Sequence, residues 1–279
     1  MRWGSSCVLA SFPVWASALL LSRLLGFIQY PERNTSKYIT FYLVTPDEEV
    51  YFGQSSKKKA DMTLAEFQAG LERVEDDEIY PLCPVDIDLT IAPESLNDSC
   101  AFIKRPGLNC YEDMKGTNFV TKAVLDEALI MEQISQSPHP NIIKYHGCRV
   151  RRGRITAIVL EQLDCTLTQY ISTAAFQDLD KARFIEALES AVDYLHSLGL
   201  AHNDINPYNI MVRDGMPVLI DFGSCQPFGM RRQSLGTPGW CEETFFTSEK
   251  KHDAFSLGKL RQWIQDPGMK VESEVGGVV

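Results

Sequence analysis

The 279 residues contain no C-x-x-C pair, no internal repeat, no low-complexity linker and no excess of basic charge. Lys and Arg number 27 against 37 Asp and Glu, a formal net charge of -10. A surface that neutralises nucleic-acid phosphates needs clustered cations, so nucleic acid is not expected as a partner. The one basic triplet, Lys57, Lys58 and Lys59, reads as a solvated loop. The eight cysteines stand singly, which leaves zinc binding and dithiol redox chemistry without their usual spacing. A chain long enough to bury its own core does not need disulfide staples, and the thiols are expected to be reduced.

Long apolar runs are scarce too. Val8 to Leu21 is apolar apart from Ser11, Pro13 and Ser17, and Arg2 precedes it as in a signal n-region. Arg23 interrupts the run before it reaches the ~20 residues of a membrane span. Residues 1–30 are therefore expected to be a hydrophobic leader. A cytoplasmic protein is the expectation, with membrane association through residues 7–28 as the alternative. Residues 31–84 are expected to be an N-terminal extension.

What is present is a succession of strand and helix patterns. Tyr38 to Phe52 holds two β-rich runs split by Pro46 and Asp47, a hairpin pattern. Leu64, Phe67, Leu71 and Val74 recur at helical spacing, with Thr63 and Glu66 placed as a capping box, so a helix reaching Val74 is predicted. Two short strands fit between Leu89 and Lys104, and a helix between Thr121 and Ser135. The run "GRITAIVLEQLD" predicts a strand ending at Glu161. "KARFIEALESAVDYLHSLGL" predicts a helix with Ile185, Leu188, Val192 and Leu195 inward and Gly199 as its stop. Asp214 and Gly215 separate two short strands as a tight turn.

The chemistry concentrates in "LHSLGLAHNDINPYNIMV" followed by "VLIDFGS". Phosphoryl transfer needs one carboxylate to orient and deprotonate an acceptor hydroxyl, and oxygen donors to hold magnesium against phosphates. Asp204 stands five residues before Asn209, and Asp221 opens D-F-G seventeen residues after Asp204.

This segment closely resembles the catalytic loop and D-F-G of the eukaryotic protein kinase-like superfamily. In "IYPLCP", "IKRPGL", "SPHPNI" and "HNDINP" the chain looks like a divergent, fungal-type group within it. The resemblance implies an α+β, two-lobed fold with a β-rich N-lobe over residues 85–163 and a mainly helical, truncated C-lobe over 164–279. It further implies ATP and Mg2+ as cofactors and a protein substrate or binding partner. Asp204 is implied as catalytic base, Asn209 and Asp221 as metal ligands, and Asn206 as the group beside the transferred phosphate. Ala101-Phe102-Ile103-Lys104 resembles the V-A-I-K strand whose lysine grips the phosphates. Glu127 resembles its helical partner, with Glu132 as a less well placed rival. "IVLEQL" makes Leu160 the gatekeeper and Glu161 to Leu163 the backbone that meets adenine. "LGTPGW" is similar to the acceptor-binding segment, with Thr237 at the position typical of serine/threonine kinases, and Asp253 would hold the catalytic loop's backbone.

Several pieces of the pattern are missing. No glycine occurs from Val85 to Cys100, where a G-x-G-x-x-G loop would cover the phosphates. Asn203 replaces the arginine before Asp204, Asn206 replaces a lysine, and A-P-E is not visible after Trp240. Only 26 residues follow Asp253. A serine/threonine-type protein kinase is the first reading. A pseudokinase that binds nucleotide or acts as a scaffold is the second, and a small-molecule kinase of the amino-alcohol type the third.

Overall fold

The computed structural model describes residues 26–28, 39–108, 111–232, 236–242 and 245–267. The leader up to residue 25 lies outside the described residues, as do Cys7, Cys110, Ser234 and Glu243. The architecture is α+β, strand-rich in the N-terminal half and mainly helical after Leu160. Among the described residues, no helix is long and apolar enough to cross a membrane. The contacts divide the chain into two compact units. One comprises residues 1–99, 103–125 and 148–158; the other comprises 100–102, 126–147 and 159–279.

In the first unit, β1 (Gly26–Ile28), β2 (Ile39–Val44), β3 (Val50–Ser55) and β4 (Glu72–Val74) form an antiparallel sheet in that order. The predicted hairpin is β2–β3, in register from Ile39 opposite Ser55 to Val44 opposite Val50. Helix α1 (Leu64–Ala69) starts with the predicted capping box, Thr63 Oγ1 accepting from Glu66 N–H and Glu66 accepting from Thr63 N–H. It ends sooner than expected. Gly70 caps it, and Glu72–Val74 extends to pair with β3, placing Val74 opposite Val50. The helical spacing of Leu71 and Val74 gives way because β3 presents an open edge on which Val74 becomes buried. The acidic stretch then forms α2 (Asp76–Ile79). Val50, Phe52, Val74, Ile79 and Tyr80 form one apolar core with Leu108, Tyr111 and Val120.

Of the two strands expected between Leu89 and Lys104, only β5 (Phe102–Lys104) forms. Residues 89–92 contribute a single bridge, Ile91 to Cys148. After α3 (Tyr111–Met114) comes α4 (Phe119–Ser135), which buries Ala128 and Met131. Strands β6 (Tyr145–Arg151) and β7 (Arg154–Leu160) complete a three-stranded sheet in the order β5-β7-β6.

Four arginines fall within six residues where β6 turns into β7, and they grip the N-terminal segment. Arg152 donates to Asp76 Oδ2 at 2.5 Å and to the Asp47 carbonyl at 2.6 Å. Arg154 donates to the Tyr80 carbonyl at 2.8 Å, Arg151 pairs twice with Glu94, and Arg149 donates to Glu48 Oε1 at 2.8 Å. Glu48 is 1% exposed. Removing one partner of a buried pair of this kind costs about 3–5 kcal/mol, because the other charge is stranded.

In the second unit, α5 (Leu167–Tyr170) precedes α6 (Lys181–Ser197), whose Asp180 cap accepts from Arg183 N–H at 3.0 Å. The predicted stripe Ile185, Leu188, Val192 and Leu195 is buried, and Gly199 turns the chain with φ +77°. Strand β8 (Leu200–Ala201) pairs with β11 (Gln226–Pro227), and β9 (Ile210–Arg213) with β10 (Met216–Leu219). Asp214 and Gly215 both have positive φ, as the tight β9–β10 turn requires. Helix α7 (Lys250–Trp263) follows.

Candidate functional site

Residues 202–209 form the loop between β8 and β9, and Asp221 stands two residues past the end of β10, so two hairpin-like pairings bring the sequence motifs together. The carboxylate of Asp253, in the first turn of α7 and fully buried, fixes the loop from below. Its Oδ2 accepts from His202 N–H at 2.9 Å and its Oδ1 from Asn203 N–H at 2.8 Å. The same Oδ2 lies 2.9 Å from His196 Nε2. Asp253 therefore holds the backbone of the 202–209 loop.

His202 Nδ1 accepts from Asp204 N–H at 3.3 Å, which puts the ring proton on Nε2, 3.0 Å from the Ile220 carbonyl. The loop is thus tied to the residue before Asp221. The Phe222 ring packs edge-on against His202 at 5.2 Å.

Asp204 is half-buried, and both carboxylate oxygens are engaged. Oδ2 accepts from Asn209 Nδ2 at 2.9 Å and Oδ1 from the Thr237 N–H at 2.9 Å. It is the Thr237 backbone that meets Asp204; the Thr237 hydroxyl accepts instead from Asn206 Nδ2 at 3.1 Å. Asn206 also donates to the Asp204 carbonyl at 3.1 Å, and its Oδ1 accepts from Tyr208 N–H at 2.9 Å. The two amide protons of Asn209 point at the Asp204 carbonyl and carboxylate, which turns its Oδ1 the other way. Asp221 is exposed and left-handed, with φ +61°, and its Oδ1 accepts from Gly223 N–H at 3.3 Å. A non-glycine residue in this region is strained, a feature that collects at functional sites. Two oxygen donors of this type, a carboxylate and a carboxamide, suit a hard cation such as Mg2+.

Asp204, Asn206, Asn209 and Asp221 thus converge within one unit. Leu160 is buried at the end of β7 and Leu163 is half-exposed. The Glu161 N–H donates to the Lys144 carbonyl at 2.9 Å, and its side chain takes the Lys144 N–H at 2.9 Å and Arg213 Nη1 at 2.8 Å. The Glu161 N–H and carboxylate are thus taken up within the protein. Glu127 is buried in α4. Lys104 lies in the other unit, half-buried at the end of β5.

Sequence reasoning passed over Arg232. Its Nη2 donates to the Asn203 carbonyl at 2.8 Å, and its guanidinium lies 4.2 Å from the centre of the Phe245 ring. Burial pushes it below its usual value, while the Asp204 charge acts in the opposite direction. Asn203, with φ +65°, spends its amide on Ala201, Ser224 and Ser248. No sequence spacing announces this pairing, since the two residues are 29 apart.

The family model described as the protein kinase domain matches residues 108–260, beginning four residues after Lys104. A serine/threonine-protein kinase/endoribonuclease IRE1 of Hypocrea jecorina is 34% identical over 122 residues, 37% of this chain and 10% of that protein. The probable serine/threonine-protein kinase mkcB of Dictyostelium discoideum is 29% identical over 152 residues, 51% of this chain and 21% of its own length. The serine/threonine-protein kinase Tao of Drosophila melanogaster is 30% identical over 145 residues, 50% of this chain and 13% of its own. The matches span between a tenth and about a fifth of the length of these relatives.

Proposed function

The chain belongs to the protein kinase domain family, and on that premise we propose that it transfers the γ-phosphate of ATP to a serine or threonine hydroxyl of a protein substrate. The observation that carries this reading is the fixed Asp204 carboxylate. The Asn209 amide and the Thr237 N–H orient it, so that it is positioned to accept the proton of an incoming hydroxyl. Asn209 Oδ1 and the Asp221 carboxylate are the groups that would hold magnesium, which when bound offsets charge on the phosphates. Lys104 would grip the α- and β-phosphates. Leu160, Glu161 and Leu163 would frame the adenine, the Glu161 carbonyl accepting from it. Asn206 joins Asp204 to Thr237, a polar link between base and acceptor segment.

A second reading, a pseudokinase, is favoured by one observation. Between Pro84 and Cys100 the one β-bridge is Ile91–Cys148, and the stretch forms no glycine-bearing hairpin that could cover phosphates. Thermal-shift titration with ATP separates the metal-dependent site from none at all. A shift that requires Mg2+ or Mn2+ supports Asn209 and Asp221 as ligands, and an equal shift in EDTA contradicts them. Transfer to a mixed peptide panel then separates the kinase from the pseudokinase.

A further inference from the structure

We propose that Glu48, in the turn between β2 and β3, is a positioning residue for Lys104, acting through Arg105, so that the strand-rich N-terminal segment is a built-in brace for the nucleotide-gripping lysine. This rests on the reading of Lys104 given above.

Two features of Glu48 are each unfavourable. Its backbone is left-handed, with φ +62°, where glycine would be unstrained, and its carboxylate is buried at 1% exposure. Such a residue persists where the surroundings over-determine it. Here they do. Arg105 Nε and Nη2 donate to the two Glu48 oxygens at 2.9 and 3.2 Å, a bidentate fork, and Arg149 Nη1 reaches Glu48 Oε1 at 2.8 Å. The rest of the Arg105 fork goes to Asp98 at 2.9 and 3.3 Å, and Arg149 Nη2 to the Leu96 carbonyl at 2.8 Å. Burial opposes the charge on Arg105, but Asp98 and Glu48 outweigh it and hold the guanidinium above its usual value.

Arg105 follows Lys104 directly. Strand β5 is three residues long and lies at the edge of its sheet, so ladder hydrogen bonds hold it from one side only. Successive side chains of an extended segment point to opposite sides, so a clamp on Arg105 also sets the direction taken by Lys104. Downstream, Leu108 and Tyr111 enter the core made by Val50, Phe52, Val74, Ile79 and Tyr80, and the Tyr111 hydroxyl bonds to Glu78. The chain that leaves Lys104 is therefore embedded in the N-terminal segment. The family match begins at residue 108, so Glu48, Asp98 and Arg105 precede it, while Arg149 lies within it.

The test uses the full chain with Glu48→Gln, Glu48→Gly and Arg105→Lys, and Lys104→Met as reference. Two quantities are read on folded protein: the Kd for ATP with Mg2+, and hydrogen exchange of the Phe102, Ile103 and Lys104 amides. Each brace variant should accelerate exchange at these amides and raise the Kd roughly tenfold, as expected when a binding group is misplaced. Glu48→Gly should do so although it relieves the backbone strain. Arg105→Lys should be the mildest, and it carries the test should the Glu48 variants fail to fold. A lower melting temperature with unchanged Kd and exchange would mean that Glu48 is merely structural, and would overturn the proposal while Lys104→Met still weakens ATP. If Lys104→Met leaves the Kd unchanged, the assignment of Lys104 itself falls, and the proposal with it.

Discussion

The Arg232 guanidinium donates to the main-chain carbonyl of Asn203 at 2.8 Å, joining the segment after Asp221 to the residue before Asp204. Many kinases place an arginine at the position of Asn203 to receive a phosphate on that segment, through a fork that asparagine lacks. Here the cation comes from the segment itself and would need no phosphate. Phosphatase treatment, and Ser224→Ala, should leave the transfer rate within about twofold, whereas Arg232→Gln should lower kcat by roughly 10- to 100-fold with little change in ATP affinity. A rate that collapses on dephosphorylation would contradict this.

Asn206 is more than a lysine substitute. Its side chain bonds to Asp204, Thr237 and Tyr208, and only 1% of the residue is exposed. Asn206→Lys would bring a cation beside the transferred phosphate but leave the Tyr208 N–H without its acceptor. Steady-state kinetics should show kcat rising by as much as ~10²-fold, the scale of one charge-stabilising donor. Thermal melting should show a loss of about 1 kcal/mol. A slower, equally stable variant would mean that Asn206 already serves the transition state.

The parts of the site that a reader finds in the letters are those made by neighbours in sequence. His202 to Asn209, the Asp214–Gly215 turn and Asp221 lie within twenty residues, and their pattern survives folding because local turns create it. The capping box at Thr63 was legible for the same reason. The end of α1 was not, because Val74 answers to Val50 across a sheet and not to Phe67 along a helix. Nor were the ion pairs of Glu48 with Arg105 and Arg149, separated by 57 and 101 residues. Four arginines between Cys148 and Ile155 were the available signal, but their partners are acidic and carbonyl groups that no spacing rule reaches.

Acid should loosen the N-terminal segment through Asp76. The Arg152 hydrogen bonds hold its carboxylate below the ordinary value of 3.8. A depressed folded value gives stability that is complete above the unfolded value near 4 and is lost as pH falls through the lower folded one. The difference in melting free energy between wild type and Asp76→Asn should be about 1 kcal/mol at pH 7, modest because the Arg152 side chain is 37% exposed. It should shrink steadily below pH 4. A gap that is constant down to pH 2 would remove the pair from the account.

Asp204→Asn is the most direct test of the central claim. The amide keeps the size of the side chain and, through one oxygen, can still accept from Asn209 or Thr237, but it is not a base. Radiolabelled phosphate transfer to a peptide panel and the Kd for ATP with Mg2+ should be measured on the same preparations. The account predicts transfer by the wild type, loss of transfer in Asp204→Asn by at least ~10²-fold, and a Kd within about threefold of wild type. Equal transfer by the two proteins would contradict it.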